Sequence, residues 1–365
     1  MSKEIAHDHS VLKKDIERAR ANVMNRGKDA FIAYNVSGDC INPLTEEPLF
    51  TQSDAPIVRF LADVKNEIDY DAASSLEANI IYENVFESVT NVMDKKAIRE
   101  QCDDPRHNRY GLKYELGEPN CTGGLSYRGD VMNSAEITNK IYYWDHKELH
   151  RNVTGKEFPW PKEALEFFEV YHTPGNFMIH PWRDGLDLDK TRKDARTKDY
   201  FDLFLLGIYN YFLEQDGKNP LNGCSLYNVL GGHEDLYLFM RYYLMPFIEK
   251  DRMRYSETPR QFIDDIEDGS DLIIYVVPGW ESFVKRHLLH DFVNRGHYDH
   301  FAEPKELWKG HFENYNNTLE YPLKEEQFIE FWTNATDMIR KRSARIYDLL
   351  HCETNRHSAM RQIRF

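Results

Sequence analysis

The residues most able to do chemistry lie in one stretch, FFEVYHTPGNFMIHPWRDGLDLDKTRKDARTKDYFDLFLLGIYNYF, from Phe167 to Phe212. It carries imidazole, carboxamide and guanidinium groups in close order: His172, Asn176, His180, Arg183, Arg192, Arg196 and then Asp199. Basic residues at 183, 192, 193, 196 and 198 precede a strongly apolar run. Guanidinium groups beside a helix N-terminus suit a phosphate or carboxylate. In a catalytic version His172 or His180 is the general base and an Arg steadies developing negative charge. The same residues also fit a structural role. His172 and Asn176 would tie down the Pro174-Gly175 turn, Asp199 would cap the helix, and the Arg side chains would be solvated. Loops on rigid scaffolds concentrate function, so the stretch 171–199 is the primary candidate for a ligand pocket.

A second set is Tyr127-Arg128-Gly129-Asp130, where Arg128 and Asp130 could line a pocket after the Gly123-Gly124 turn. Neither a P-loop nor a dinucleotide-binding glycine pattern is present. A third set is RHLLHDFVNRGHYDHF, with His287, His290, His297 and His300. Residues i and i+3 share a helix face, so the first pair could meet one metal, with a later histidine returning. The spacing lacks the glutamate of a zinc hydrolase, and 15 histidines make such pairs by chance. No metal is therefore assigned, and no motif names a cofactor or settles whether the chain is an enzyme.

The elements that must hold these residues are mostly helical. Helices are expected over about 10–26, 56–68, 75–93, 95–101, 134–146, 161–171, 198–214, 233–249, 258–267, 280–293 and 323–351, with a short turn of helix at 304–309. The helix from 198 is apolar nearly all round, which marks a buried core helix. The one from Leu323 has a stripe of Phe328, Trp332, Ala335, Ile339, Ile346 and Leu350. Short strands are expected at 112–116, 125–128, 177–179 and 272–277. The fold class is mainly α with a small β element (α+β), a single compact multi-helix domain. An N-terminal helical portion spans 1–102, the main α-rich domain 103–351, and a tail 352–365.

Composition bounds the function. The 365 residues are 41 % hydrophobic and 13 % aromatic, enough for a large core. The net charge of −15 opposes general nucleic-acid or anionic-membrane binding. The basic segment RKRSARIYDLLHCETNRHSAMRQIRF is where nucleic acid could still be met, with Arg340, Lys341, Arg342 and Arg345 placed on an exposed helix face. Five cysteines without a C-x-x-C give no disulfide framework, and no apolar run approaches a membrane span. A cytoplasmic protein is expected.

The pattern Tyr171-His172-Thr173-x-Gly175-Asn176-Phe177, followed by Asp199-Tyr200-x-Asp202-Leu203 and Ile208-Tyr209-Asn210-Tyr211, resembles a family of uncharacterised bacterial proteins. Trp280-x-x-Phe283-Val284, Phe292-Val293-Asn294 and Pro304-x-x-Leu307-Trp308 extend the resemblance across about 130–310. It implies a bacterial or phage origin and a shared fold, and no activity. Two functions follow as expectations. One is a macromolecule-interaction, accessory or immunity factor that binds a protein. The other is an enzyme or sensor that binds a nucleotide or other phosphate-bearing ligand at Tyr171–Asp199.

Overall fold

The computed structural model describes residues 3–33, 70, 75–86, 94–100, 109–116, 125–133, 138, 141–143, 145–146, 160–182, 200–206, 209, 280–296, 301–314 and 322–352. Among these, helix outweighs strand. The helices are α1 (Lys3–Met24), α2 (Lys28–Ile32), α3 (Leu76–Val85), α4 (Lys162–Val170), α5 (Trp280–Arg286) and α6 (Glu325–His351). Residues 201–206 are also helical. Strands β1 (Asp94–Glu100), β2 (Arg109–Leu116), β3 (Leu125–Val131) and β4 (Phe177–Trp182) form an antiparallel sheet in the order β1-β2-β3-β4. A two-stranded ribbon pairs β5 (Val293–Arg295) with β6 (Phe301–Pro304).

Helix α6 is the longest element among the described residues, with 27 residues spanning about 40 Å at 1.5 Å each. Gln327 anchors its start by accepting the N–H groups of Leu323 and Lys324 at 3.0 and 3.2 Å. Glu325 and Glu326 then sit where the helix dipole favours negative charge. Its buried residues recur three and four apart, from Phe328 through Phe331, Trp332, Ala335, Met338 and Ile339 to Ile346 and Leu350.

Two cores meet along this helix. The larger joins Phe328 to Ile339 of α6 with Ala164, Phe167 and Phe168 of α4, Phe201 to Leu205, and Phe283 and Val284 of α5. The smaller joins Ile346 and Leu350 with Val23, Phe31, Ile81 and Tyr82. Strand β4 lies between them: Met178 belongs to the first, and Phe177 and Ile179 to the second. This follows from side chains alternating across a strand.

Several elements differ from the sequence reading. Of the helix expected over 95–101, residues 95–100 fall on β1, the sheet's edge. Its sequence, DKKAIRE, is charged as edge strands commonly are, so the alternation that marks a strand is missing. Helix 280–293 stops at Arg286, and 293–295 is strand. The turn of helix expected at 304–309 is instead the end of β6 followed by an irregular loop. Helix α1 starts before Ser10, and α3 stops at Val85, with Ser75 Oγ accepting from Ala78 N as its cap. The elements expected at 56–68, 233–249, 258–267 and 272–277 lie outside the described residues.

Candidate functional site

The turn between α4 and β4 is held from three sides. Thr173 Oγ1 donates to Val170 O at 2.8 Å. Since a hydroxyl has one proton, the 3.1 Å contact between Thr173 Oγ1 and Ser343 Oγ is donated by Ser343. Ser343 Oγ in turn accepts Gly175 N–H at 2.9 Å. Asn176 is fully buried. Its carboxamide accepts from Asn133 N at 3.0 Å and donates to Asn133 O and Tyr171 O at 3.1 and 2.8 Å. Asn133 Oδ1 continues the chain by accepting Phe201 N–H, so it caps the helical residues 201–206 from afar.

Arg342 completes the clamp and corrects an expectation. It does not lie on an exposed face of α6, since it is 0 % exposed. Its Nε donates to His287 O at 3.0 Å. Its Nη1 is shared among Pro174 O, Gly175 O and Phe177 O at 3.2, 2.9 and 2.6 Å. The guanidinium lies 5.5 Å from the centroid of the Phe86 ring. Burial lowers its pKa to about 9, which leaves it charged at neutral pH. Position 342 continues the stripe of Ile339 and Ile346 by three and four, so its burial was signalled by spacing and masked by residue type. Of its neighbours, Lys341 is exposed and bonds Asp337, while Arg340 and Arg345 are partly exposed and bond Glu169 and Asp291.

Asn176 is bonded to backbone on every side. His172 is half-buried, its ring 5.9 Å from Tyr70 and 5.0 Å from Phe177. His180 lies on β4, and its Cα partner across the ladder is Arg128 on β3, with Asp130 paired to Met178. The register thus brings together two segments nominated separately. Arg183, Arg192, Arg196 and Asp199 lie outside the described residues, as do His297 and His300. His287 is buried with its ring 4.8 Å from Phe283. His290 sits among Arg345, Arg295 and Lys285, and burial with these charges lowers its pKa to about 4. Cations on that scale disfavour a divalent metal there.

A buried polar centre escaped the sequence reading. Asp202 and His311 are 3 % and 2 % exposed, with Oδ2 and Nδ1 2.6 Å apart. Asp202 also accepts Leu203 N–H on Oδ1 and Leu307 N–H on Oδ2, at 2.9 and 2.8 Å. His311 stacks on Trp308 with centroids 3.5 Å apart and meets Tyr200 edge-on at 5.1 Å. Tyr200 is hydrogen-bonded to Thr138. A carboxylate on Nδ1 fixes an imidazole for work at Nε2, as in catalytic triads. Here Nε2 is buried and has no hydrogen-bond partner, so the pair is closed to a substrate in this conformation. Its evident work is to fasten the loop 307–311 onto residue 202, more than a hundred positions away, a distance at which sequence carries no signal.

The residues that flank this loop, 303–306 and Phe312, help line an open cleft of about 420 Å³. Pro304, Phe312 and Met338 supply apolar surface. Asn294, Glu303, Lys305, Glu306 and Asn334 supply polar surface. The walls are braced internally. Glu306 accepts the N–H groups of Gly310 and Phe312 at 3.1 and 2.8 Å, and Asn334 Nδ2 donates to Leu307 O at 2.9 Å. Among the described residues no group of three or more His, Cys, Asp or Glu could hold a metal, and no helix is long and apolar enough to cross a membrane. No protein-family model, curated protein or solved structure matches the chain.

Proposed function

We propose that this chain is a macromolecule-interaction factor, of the accessory or immunity kind found in bacteria and phage, acting in the cytoplasm and binding a protein partner. The observation that carries this reading is the cleft beside α6: preformed, open, apolar at Pro304, Phe312 and Met338 and ringed with polar groups. Protein interfaces have this anatomy, and a cleft of this size accepts an anchoring side chain of a partner. The buried polar groups nearby support the reading, because Asn176, Arg342 and the Asp202–His311 pair are committed to holding backbone. The test is a photocrosslinking amino acid placed at Glu303 in the host, beside the same residue at exposed Lys13 on α1. A discrete adduct from position 303 alone supports the cleft. Equal labelling from both positions contradicts it.

A second reading places a nucleotide or other phosphate-bearing ligand at the loop 171–199. One observation favours it, the ladder pairing of Arg128 with His180 beside that loop. Thermal shift against nucleotides tests it, with the shift expected to vanish in Arg183→Ala.

A further inference from the structure

The polar side chains of the cleft beside α6 are unevenly matched. Each group that can donate has a partner within the protein. Asn294 Nδ2 donates to Glu303 Oε1 at 3.2 Å, Asn334 Nδ2 to Leu307 O at 2.9 Å, and Lys305 Nζ to Asp291 O at 2.9 Å. Glu306 spends both carboxylate oxygens on the N–H groups of Gly310 and Phe312. The side-chain oxygens left without a donor are Asn294 Oδ1, Asn334 Oδ1 and Glu303 Oε2. Glu303 is exposed, and among the described residues no cation pairs with it or with Glu306. Two uncompensated carboxylates thus share the cleft with one lysine, whose ammonium is held at the 291 turn. The apolar surface beside them is Pro304, Phe312 and Met338, with one aromatic ring.

We infer that the protein partner anchors in this cleft through an arginine side chain, an inference that rests on the interface reading above. An arginine brings what the cleft lacks: a full positive charge and five N–H donors in one plane. Its aliphatic stem packs on Pro304 and Met338, as long cationic side chains do on apolar surface. Guanidinium planes also stack on aromatic faces, and Phe312 supplies one. The guanidinium edge donates to Glu303 in a charge-assisted bond, and its remaining N–H groups meet carboxamide oxygens. A volume of about 420 Å³ lies at the low end of small-ligand pockets and is ample for one side chain. An acidic anchor would meet two carboxylates with no cation between them. An apolar anchor would cover acceptors without supplying donors. The net charge of −15 acts in the same direction, by drawing in a basic segment.

The experiment follows the Met338 methyl resonance of the full chain, labelled at its methionine methyls and assigned with Met338→Leu. The probes are the N-acetyl methylamides of arginine, citrulline and norleucine, at constant ionic strength. Citrulline keeps the shape of arginine and lacks its charge. Saturable movement is expected with the arginine probe, and binding about tenfold or more weaker with the other two. Glu303→Gln should weaken arginine binding by about the same factor. Glu326→Gln, an equal loss of charge at the exposed start of α6, should leave it unchanged. The comparison of probes on the native chain holds even if a variant fails to fold. Citrulline or norleucine binding as tightly as arginine would overturn the arginine anchor and leave the interface reading in place. An equal loss in Glu326→Gln, which marks a diffuse field, or no response to any probe would overturn it as well. The crosslinking test at position 303 decides the interface reading separately, because covalent capture accumulates even where one carboxylate is lost.

Discussion

Arg342 shows how a charge can serve as a structural bolt. One side chain holds carbonyls from His287, Pro174, Gly175 and Phe177, and so joins α6 to the end of α5 and to the turn before β4. Arg342→Met should cost about 3 kcal/mol in urea unfolding, because it leaves several buried acceptors unpaired. Arg342→Lys should recover less than half of that, since an ammonium lacks the planar fork that spans them. Asp202→Ala should cost a comparable amount, about 2–4 kcal/mol, through the stranded N–H groups of Leu203, Leu307 and His311. His290 gives a pH signature of definite sign. Its folded pKa, about 4, lies below the ordinary 6.5, so the unfolded chain binds the extra proton between those values. Stability present above pH 6.5 is therefore lost as pH falls toward 4. NMR titration should give a midpoint near 4, and His290→Gln should flatten the acid limb; a midpoint near 6.5 would contradict the burial assigned here.

At the scale of elements, the closeness of α6 to the turn 173–177 is what matters. A Cβ on Gly175 would stand 2.2 Å from Ile339 O and 2.3 Å from Ser343 Oγ, both on α6. Gly175→Ala should therefore force helix and turn apart and lower the melting temperature more than Gly27→Ala, where nothing lies within 4 Å. These contacts explain what could be read in advance. The course of α6 was legible because its apolar residues repeat at helical spacing without interruption. The extended segment at 177–179 was legible from the Pro-Gly turn before it. β1 was hidden because an edge strand is charged. The Asp202–His311 pair was hidden because its members meet only through the tertiary fold. Asn176 could be nominated from its place after a turn. Its choice between ligand and backbone depended on Asn133, which no local pattern connects to it.

For the whole molecule, the described residues divide into a scaffold rich in buried polar bonds and a face along α6 that lines the cleft. The net charge of −15 makes a basic or neutral protein surface the easier partner to approach. Glu303→Arg should abolish capture of the partner while leaving the melting temperature within about a degree, because its exposed bond to Asn294 contributes little to stability. The most direct test of this division is hydrogen exchange of the full chain with and without the partner captured at position 303. Slower exchange at 303–312 and near Asn334, with the amides of 173–177 unchanged, is the predicted result. Protection arising at 171–182 while 303–312 exchanges as before would contradict it and move the binding site to the central turn.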